Sequence, residues 1–228
     1  MRGNATISIR GDRKVIVQMA DSPNSPSIET KQNVGEPQSP FTRHRFEPKR
    51  RRLTITSKEY ITPKMIRIIA KGDELMDFTS KSPDDHIKLI AGMSDEGPIM
   101  RDYTPRAYSN AECTIAVDFA VHEAGPVTKW AIAANVGDEM RIAGPRGSAE
   151  LTEAFDWILL IGDETALPAM GRWVEENVGS TAITTLGIVS SVEEEQQWVS
   201  SKPHKALWVH RPAHLDTDAT AALHLLEK

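Results

Sequence analysis

The sequence predicts a six-stranded antiparallel β-barrel followed by an α/β unit, with an N-terminal extension ahead of both. Three observations carry the prediction. Between Leu53 and Ala143, short runs with β-branched content and partial alternation are separated by turn residues. After Gly147, continuously apolar runs alternate with helical segments, as strands buried on both faces of a parallel sheet do. Residues 21–40 are rich in Ser, Pro and Asn with almost no apolar content, which reads as disordered linker.

The elements follow in order. Residues 6–19 alternate on either side of Gly11-Asp12 and form a hairpin candidate, ordered only if it docks on something else, because an isolated two-stranded hairpin is marginal in water. The barrel strands are placed at Leu53–Thr56, Met65–Ala70, His86–Ala91, Arg101–Pro105, Thr114–Val121 and Glu139–Ala143. Turn chemistry lies between them at Lys71-Gly72-Asp73, Ser82-Pro83-Asp84, Asp95-Glu96-Gly97-Pro98 and Gly137-Asp138. Gly125-Pro126 opens a helix over Val127–Ala134. Beyond Gly147 the layout is strand Trp157–Ile161, helix Ala166–Asn177, strand Thr184–Val189, helix Val192–Val199, strand Ala206–His210 and helix Asp216–Leu226, an open α/β order. The expected division is an extension over 1–43, a barrel over 44–148 and the α/β unit over 149–228.

The 228 residues are 39% hydrophobic and 26% charged, which excludes collagen-like, coiled-coil and wholly disordered classes. The longest uncharged apolar stretch, Trp157–Gly162, is far short of the ~20 residues of a membrane-spanning helix. No apolar segment follows the charges of MRGNATISIR, so the expected location is cytoplasmic, with no membrane partner. Residues 1–110 carry 19 Lys/Arg against 14 Asp/Glu, whereas 111–228 carry 8 against 18. That split argues against a nucleic-acid partner bound through a wholly basic surface and leaves room for a basic site for an anionic ligand in the first part.

Three segments point to chemistry. Arg101-Asp-Tyr-Thr-Pro-Arg106 sets two guanidinium groups, a phenol and a hydroxyl on one strand, groups suited to a flat aromatic ligand carrying phosphates. The strand Thr114–Val121 leads through His122 to Gly125-Pro126, where the free amides and dipole of a helix N-terminus make an anion site and Thr128 adds a hydroxyl. Gly162-Asp-Glu-Thr-Ala-Leu-Pro-Ala169 follows an apolar strand directly, with Thr165 a helix-cap candidate, at the strand end where α/β sheets bind nucleotides.

These segments, together with GDEMRIAGPRGS and DWILLIGDETALPAM, resemble the siderophore-interacting protein family, flavin-dependent ferric-siderophore reductases of the ferredoxin reductase-like superfamily. The resemblance runs from Arg52 to Leu226. It implies a flavin-binding barrel and a nicotinamide-nucleotide-binding α/β domain, with FAD as cofactor, NADH or NADPH as electron donor, a ferredoxin as alternative donor, and a ferric siderophore as substrate. On this resemblance Arg101, Tyr103 and Thr104 hold the isoalloxazine and its phosphates. Asp118, His122, Gly125, Val127 and Thr128 line the rest of the FAD site, and Asp163, Glu164, Thr165 and Ala166 face the nicotinamide. No side chain is required as a nucleophile. Family chains continue into a further strand, loop and helix beyond Leu226, so the α/β domain is expected to be incomplete. Two other functions therefore stay open: a flavin-loaded siderophore-binding protein without turnover, and a general flavin or ferric reductase of the same superfamily.

Other signals carry less. Glu193, Glu194 and Glu195, after the second α/β strand, would repel a ribose 2′-phosphate and give an expectation of mild NADH preference. No metal site is assigned: Pro212 breaks the helix that His210 and His214 would need to converge with Asp216 and Asp218. Gly144-Pro-Arg-Gly147 lacks the Lys-Ser/Thr pair of a phosphate loop and reads as the turn between domains. Cys113 has no partner for an internal disulfide or redox dithiol. The tryptophans read as packing residues, with Trp130 kept as a candidate near the phosphate site.

Overall fold

Residues 50–143 form one curled antiparallel sheet, set beside a mixed sheet that carries the second half of the chain. The computed structural model describes residues 6–10, 14–19, 40–121, 125–152, 155–177 and 181–211. Along the chain, β1 (Thr6–Arg10) and β2 (Lys14–Met19) form an antiparallel hairpin, and β3 (Phe41–Arg45) follows. The barrel is built from β4 (Arg50–Thr62), β5 (Met65–Lys71), β6 (Ile87–Ser94), β7 (Gly97–Tyr103), β8 (Pro105–Ser109), β9 (Thr114–Ala120) and β10 (Glu139–Ala143). Helix α1 (Pro126–Ala133) lies between the last two. Next come β11 (Gly147–Leu151), which pairs with β3, then β12 (Trp157–Asp163), α2 (Leu167–Glu175), β13 (Ala182–Val189) and β14 (His204–His210).

The seven-stranded sheet has the order β7-β6-β10-β4-β5-β9-β8. Its two edges, β7 and β8, belong to one chain run interrupted only at Thr104. That run pairs with β6 before the break and with β9 after it, so it joins the two ends of the sheet. The expected six strands thus become seven paired segments because the strand placed at Arg101–Pro105 is longer and shared between both edges.

Alternation explains the interior. In β4, Arg51, Leu53 and Ile55 are buried while Arg50, Arg52, Thr54 and Thr56 are exposed. Leu53, Ile55, Ile66, Ile68, Leu89, Val117, Phe119 and Ile142 fill the barrel, and Val127 and Ala131 of α1 close it. The buried Arg51 is tolerated because its guanidinium donates to the carbonyls of Glu74 (2.8 Å) and Gly144 (2.9 Å) and to Asp77 (2.9 Å).

In the α/β unit β12, β13 and β14 are parallel neighbours, and β2 lies parallel along the free edge of β12, giving the order β1-β2-β12-β13-β14. Ile158, Leu160, Ile183 and Val189 pack under α2 with Met170 and Trp173, and Met65 of the barrel joins the same cluster. Gly187 is required for close packing, because a β-carbon there would lie 2.2 Å from the Trp208 ring.

Two expectations need correction. The helix placed at Val192–Val199 is a single 3-10 turn, Val192–Glu194. Tertiary contacts override helix propensity there: Glu194 is drawn into the barrel, accepting from the Thr62 hydroxyl (2.6 Å) and the Lys64 amide (3.2 Å), and the Trp198 ring packs against Trp208. Thr165 is not a helix cap. Ala166 occupies that position with no side-chain cap, and the Thr165 hydroxyl donates to Asp163 instead. Most of the expected linker over 21–40, the helix Asp216–Leu226, and His214, Asp216 and Asp218 lie outside the described residues. Among the described residues no helix is long and apolar enough to cross a membrane, and no cluster of His, Cys, Asp and Glu suits a metal ion.

Candidate functional site

The run from Gly97 to Ser109 positions the first group of candidate residues. Register against β6 sets Arg101 opposite Leu89 and Tyr103 opposite Ile87, two places apart on one face of β7. Arg101 is exposed, and among the described residues no hydrogen bond or ion pair engages its guanidinium. The Tyr103 ring is half-buried, 4.6 Å from the Phe119 ring, which in turn lies 5.9 Å from Trp130 of α1. Thr104 is half-buried at the break between β7 and β8.

This aromatic chain ties β7 to α1. Gly125, in extended conformation, precedes the helix, and Pro126 occupies its first turn. Among the described residues no side chain caps the N-terminus, the position at which a helix offers free amides and its dipole to an anion. Among the described residues, a β-carbon on Gly125 would meet nothing within 4 Å. Val127 and Thr128 are buried at 2% and 4% exposure, so neither side chain is open to a ligand. An unengaged guanidinium, a part-buried phenol and an uncapped helix end fit an aromatic dinucleotide.

Asp118 lies elsewhere. It sits on the face of β9 opposite to Phe119, is buried, and accepts two 2.7 Å hydrogen bonds from the Arg67 guanidinium. Arg106, the second guanidinium of the β7–β8 run, is also turned inward. It lies 3.9 Å from Asp118 and donates to both oxygens of Glu175 on α2 at 2.7 and 2.8 Å. The contact with Asp118 holds the Arg67 guanidinium above its ordinary range. Arg67, Asp118, Arg106 and Glu175 therefore form a charge network from the barrel to α2. His122 lies outside the described residues.

The second group collects at the carboxyl end of β12. One Asp163 oxygen accepts both the amide (2.9 Å) and the hydroxyl (2.6 Å) of Thr165, and the Ala166 amide donates to the Asp163 carbonyl (3.0 Å). Glu164 accepts from Arg211 at 2.6 Å, and burial pushes its carboxyl above the ordinary value despite that partner. Thr165 is exposed and Ala166 buried. The turn thus delivers the start of α2 to a strand end of the type that binds nucleotides.

The glutamate cluster is less available than its charge suggests. Glu194 is 3% exposed and bound to the barrel turn, Glu195 accepts from His210 at 2.8 Å, and the Ser191 hydroxyl holds the Glu193 carboxyl below its ordinary value. Sequence reasoning missed Arg67, Glu175 and Arg172. The buried Arg172 bonds Glu176 (2.6 Å) and the Ser80 hydroxyl (3.0 Å), which donates to Asp85 (2.9 Å). Asp85 also accepts from Ser148 and two backbone amides, while burial pushes its carboxyl up. The sequence signal was slight: charged residues inside otherwise apolar strand or helix patterns.

Comparison with known proteins places these features. The sequence profile of the siderophore-interacting FAD-binding domain matches residues 54–92 and 91–149, and that of the siderophore-interacting protein matches residues 155–227. A siderophore utilization protein from T. fusca is 30% identical, with a TM-score of 0.75, covering 82% of this chain and 79% of that one. The NADPH-dependent ferric-chelate reductase of Escherichia coli (strain K12) is 36% identical over 143 residues, 55% of this chain and 56% of that protein. Ferredoxin-NADP+ reductase from Plasmodium falciparum shares the fold alone, with TM-scores of 0.54 and 0.56 at 10% identity, covering 77–78% of this chain and 76–81% of its structures. The chain spans about half the length of the curated relatives it matches. A barrel that carries the FAD-binding signature, followed by an α/β unit that carries the siderophore-interacting signature, makes this chain a member of the siderophore-interacting protein family.

Proposed function

We propose that this chain reduces ferric siderophores with electrons taken from a nicotinamide nucleotide through bound FAD. The observation that carries the proposal is the pairing of the FAD-binding match over the barrel with an unengaged Arg101 and an uncapped α1 on the Tyr103 side of it. Bound FAD supplies the step from two-electron to one-electron transfer that ferric iron requires.

The chain's own residues bind and orient. Arg101 offers a fork to a phosphate oxygen, and the N-terminus of α1 offers N–H donors to an anion. Tyr103, braced by Phe119 and Trp130, sets an aromatic wall for a flat ring. The Asp163–Ala166 turn presents the start of α2 to the nucleotide donor, with Arg211 neutralising Glu164 close by. Asp118 acts at one remove, through Arg67 and Arg106, as a positioning residue between barrel and α2.

NADPH is the donor we favour: the Escherichia coli relative is named NADPH-dependent, and Glu194 and Glu195 are engaged within the chain rather than aimed at a ribose. NADH and a reduced ferredoxin are the comparisons. The test is an anaerobic titration. Protein loaded with FAD should lose its visible flavin absorbance on NADPH addition; flavin bands that never appear, or that persist under excess NADPH, NADH and reduced ferredoxin alike, overturn the reading. Bleaching without iron reduction would leave a general flavin reductase.

A further inference from the structure

The N-terminal hairpin supports an inference independent of the proposed reductase activity. β12 is the apolar run Trp157-Ile-Leu-Leu-Ile161, with Ile158 at 2% and Leu160 at 0% exposure. Along one edge it pairs with β13 from Trp157 opposite Ala182 to Asp163 opposite Ile188. An apolar strand with its other row of N–H and C=O groups unpaired would be a template for association. That edge is filled from the far end of the chain: β2 runs parallel to it, from Lys14 opposite Trp157 to Met19 opposite Gly162.

The sequences of the two hairpin strands suit these places. Val15-Ile-Val17 is a continuous β-branched run, the composition of a strand interior to a parallel sheet. β1 alternates instead, with Thr6, Ser8 and Arg10 between Ile7 and Ile9, as a protected edge strand does. Among the described residues β1 is the outermost strand of the sheet on this side, so the hairpin exchanges an apolar edge for a mixed one.

We propose that the open edge of β12 is a strand-acceptor site, that its occupant is β2 of the same chain, and that this occupancy keeps the α/β sheet from pairing with a second copy. The register makes a sharp test in the full chain, with Cys113 replaced by Ser. Gln18→Cys with Ile161→Cys joins directly opposed positions, whereas Ile16→Cys with Ile161→Cys is two places out of register. Under mild oxidation the opposed pair should crosslink within one chain at least about tenfold more than the offset pair, because disulfide geometry tolerates little displacement. Equal crosslinking, or none in the opposed pair, overturns the assignment. A crosslink between two chains shows that another copy's hairpin is the occupant, and overturns the intrachain claim.

A second variant reads the consequence. Val17→Pro should break the ladder beside Leu160. Amides of β12 should then exchange at least about a hundredfold faster, and the protein should self-associate with rising concentration, while β5 and β9 amides keep their protection as a sign that the barrel is folded. A variant that stays monomeric with unchanged β12 exchange contradicts the proposal. If that variant fails to fold, the crosslinking pair still decides.

Discussion

Arg101 and Arg106 belong to one run of chain yet serve different ends, and substitution should separate them. Arg101 is exposed and unengaged among the described residues, so Arg101→Ala should leave the fold intact and weaken FAD binding about tenfold to a hundredfold, the loss of a charge-assisted hydrogen bond of about 1.5–3 kcal/mol. A flavin titration checks this, and unchanged affinity would displace Arg101 from the phosphate contact. Asp118 predicts the reverse. Its side chain is fully buried and holds the Arg67 guanidinium by two hydrogen bonds, so removing it leaves Arg67 without its partner while Arg106 keeps Glu175. Asp118→Ala should cost about 3–5 kcal/mol in equilibrium unfolding. Asp118 was legible as a candidate but not its role, because a sequence gives the charge on β9 and not the face it occupies. The same limit applies to Glu193–Glu195, where burial of Glu194 converts an apparent repulsive patch into a tie between the two halves.

His204 adds a pH dependence at the same scale. Burial lowers its pKa below the ordinary 6.5, and Thr185 shares a 3.0 Å hydrogen bond with the ring. The folded state thus favours the neutral ring, so its contribution is full above pH 6.5 and is lost as pH falls below that value and the unfolded chain takes up the proton first. Denaturant midpoints compared between about pH 8 and about pH 5 should fall less steeply for His204→Gln than for the parent. Parallel curves would remove His204 from the account.

At the scale of elements, the barrel strands and the three parallel strands were legible because alternation and continuous apolar runs are local signals. The 3-10 turn at Val192–Glu194 was not, since it depends on partners at Thr62 and Lys64. The hairpin pattern was visible, but its docking on β12 was not: strand pairing across such sequence separation leaves no local trace. Packing between elements gives its own prediction. Gly187→Ala places a β-carbon 2.2 Å from Trp208, and overpacking of this kind should destabilise by about 1–3 kcal/mol in thermal or denaturant unfolding. Gly187→Ala with Trp208→Leu should recover part of that loss, as coupled neighbours do.

For the whole molecule, the layout of barrel and α/β unit makes one device of two parts. The Arg67–Asp118–Arg106–Glu175 network, the Arg172–Ser80–Asp85 chain and the shared Met65 cluster hold α2 against the barrel, and so hold the β12 strand end in place relative to the Tyr103 side. None of these ties was legible in the sequence, because each joins residues far apart along the chain; the motifs that flank them were. Ferrous iron release under anaerobic conditions, with FAD-loaded protein, NADPH, a ferric siderophore and a ferrous chelator as trap, decides whether the two parts work together as a reductase. The ferrous signal should require both protein and NADPH and exceed that of free FAD with NADPH. A signal no greater than the free-flavin control, from protein whose flavin is bound and reducible, would contradict the proposed reductase function.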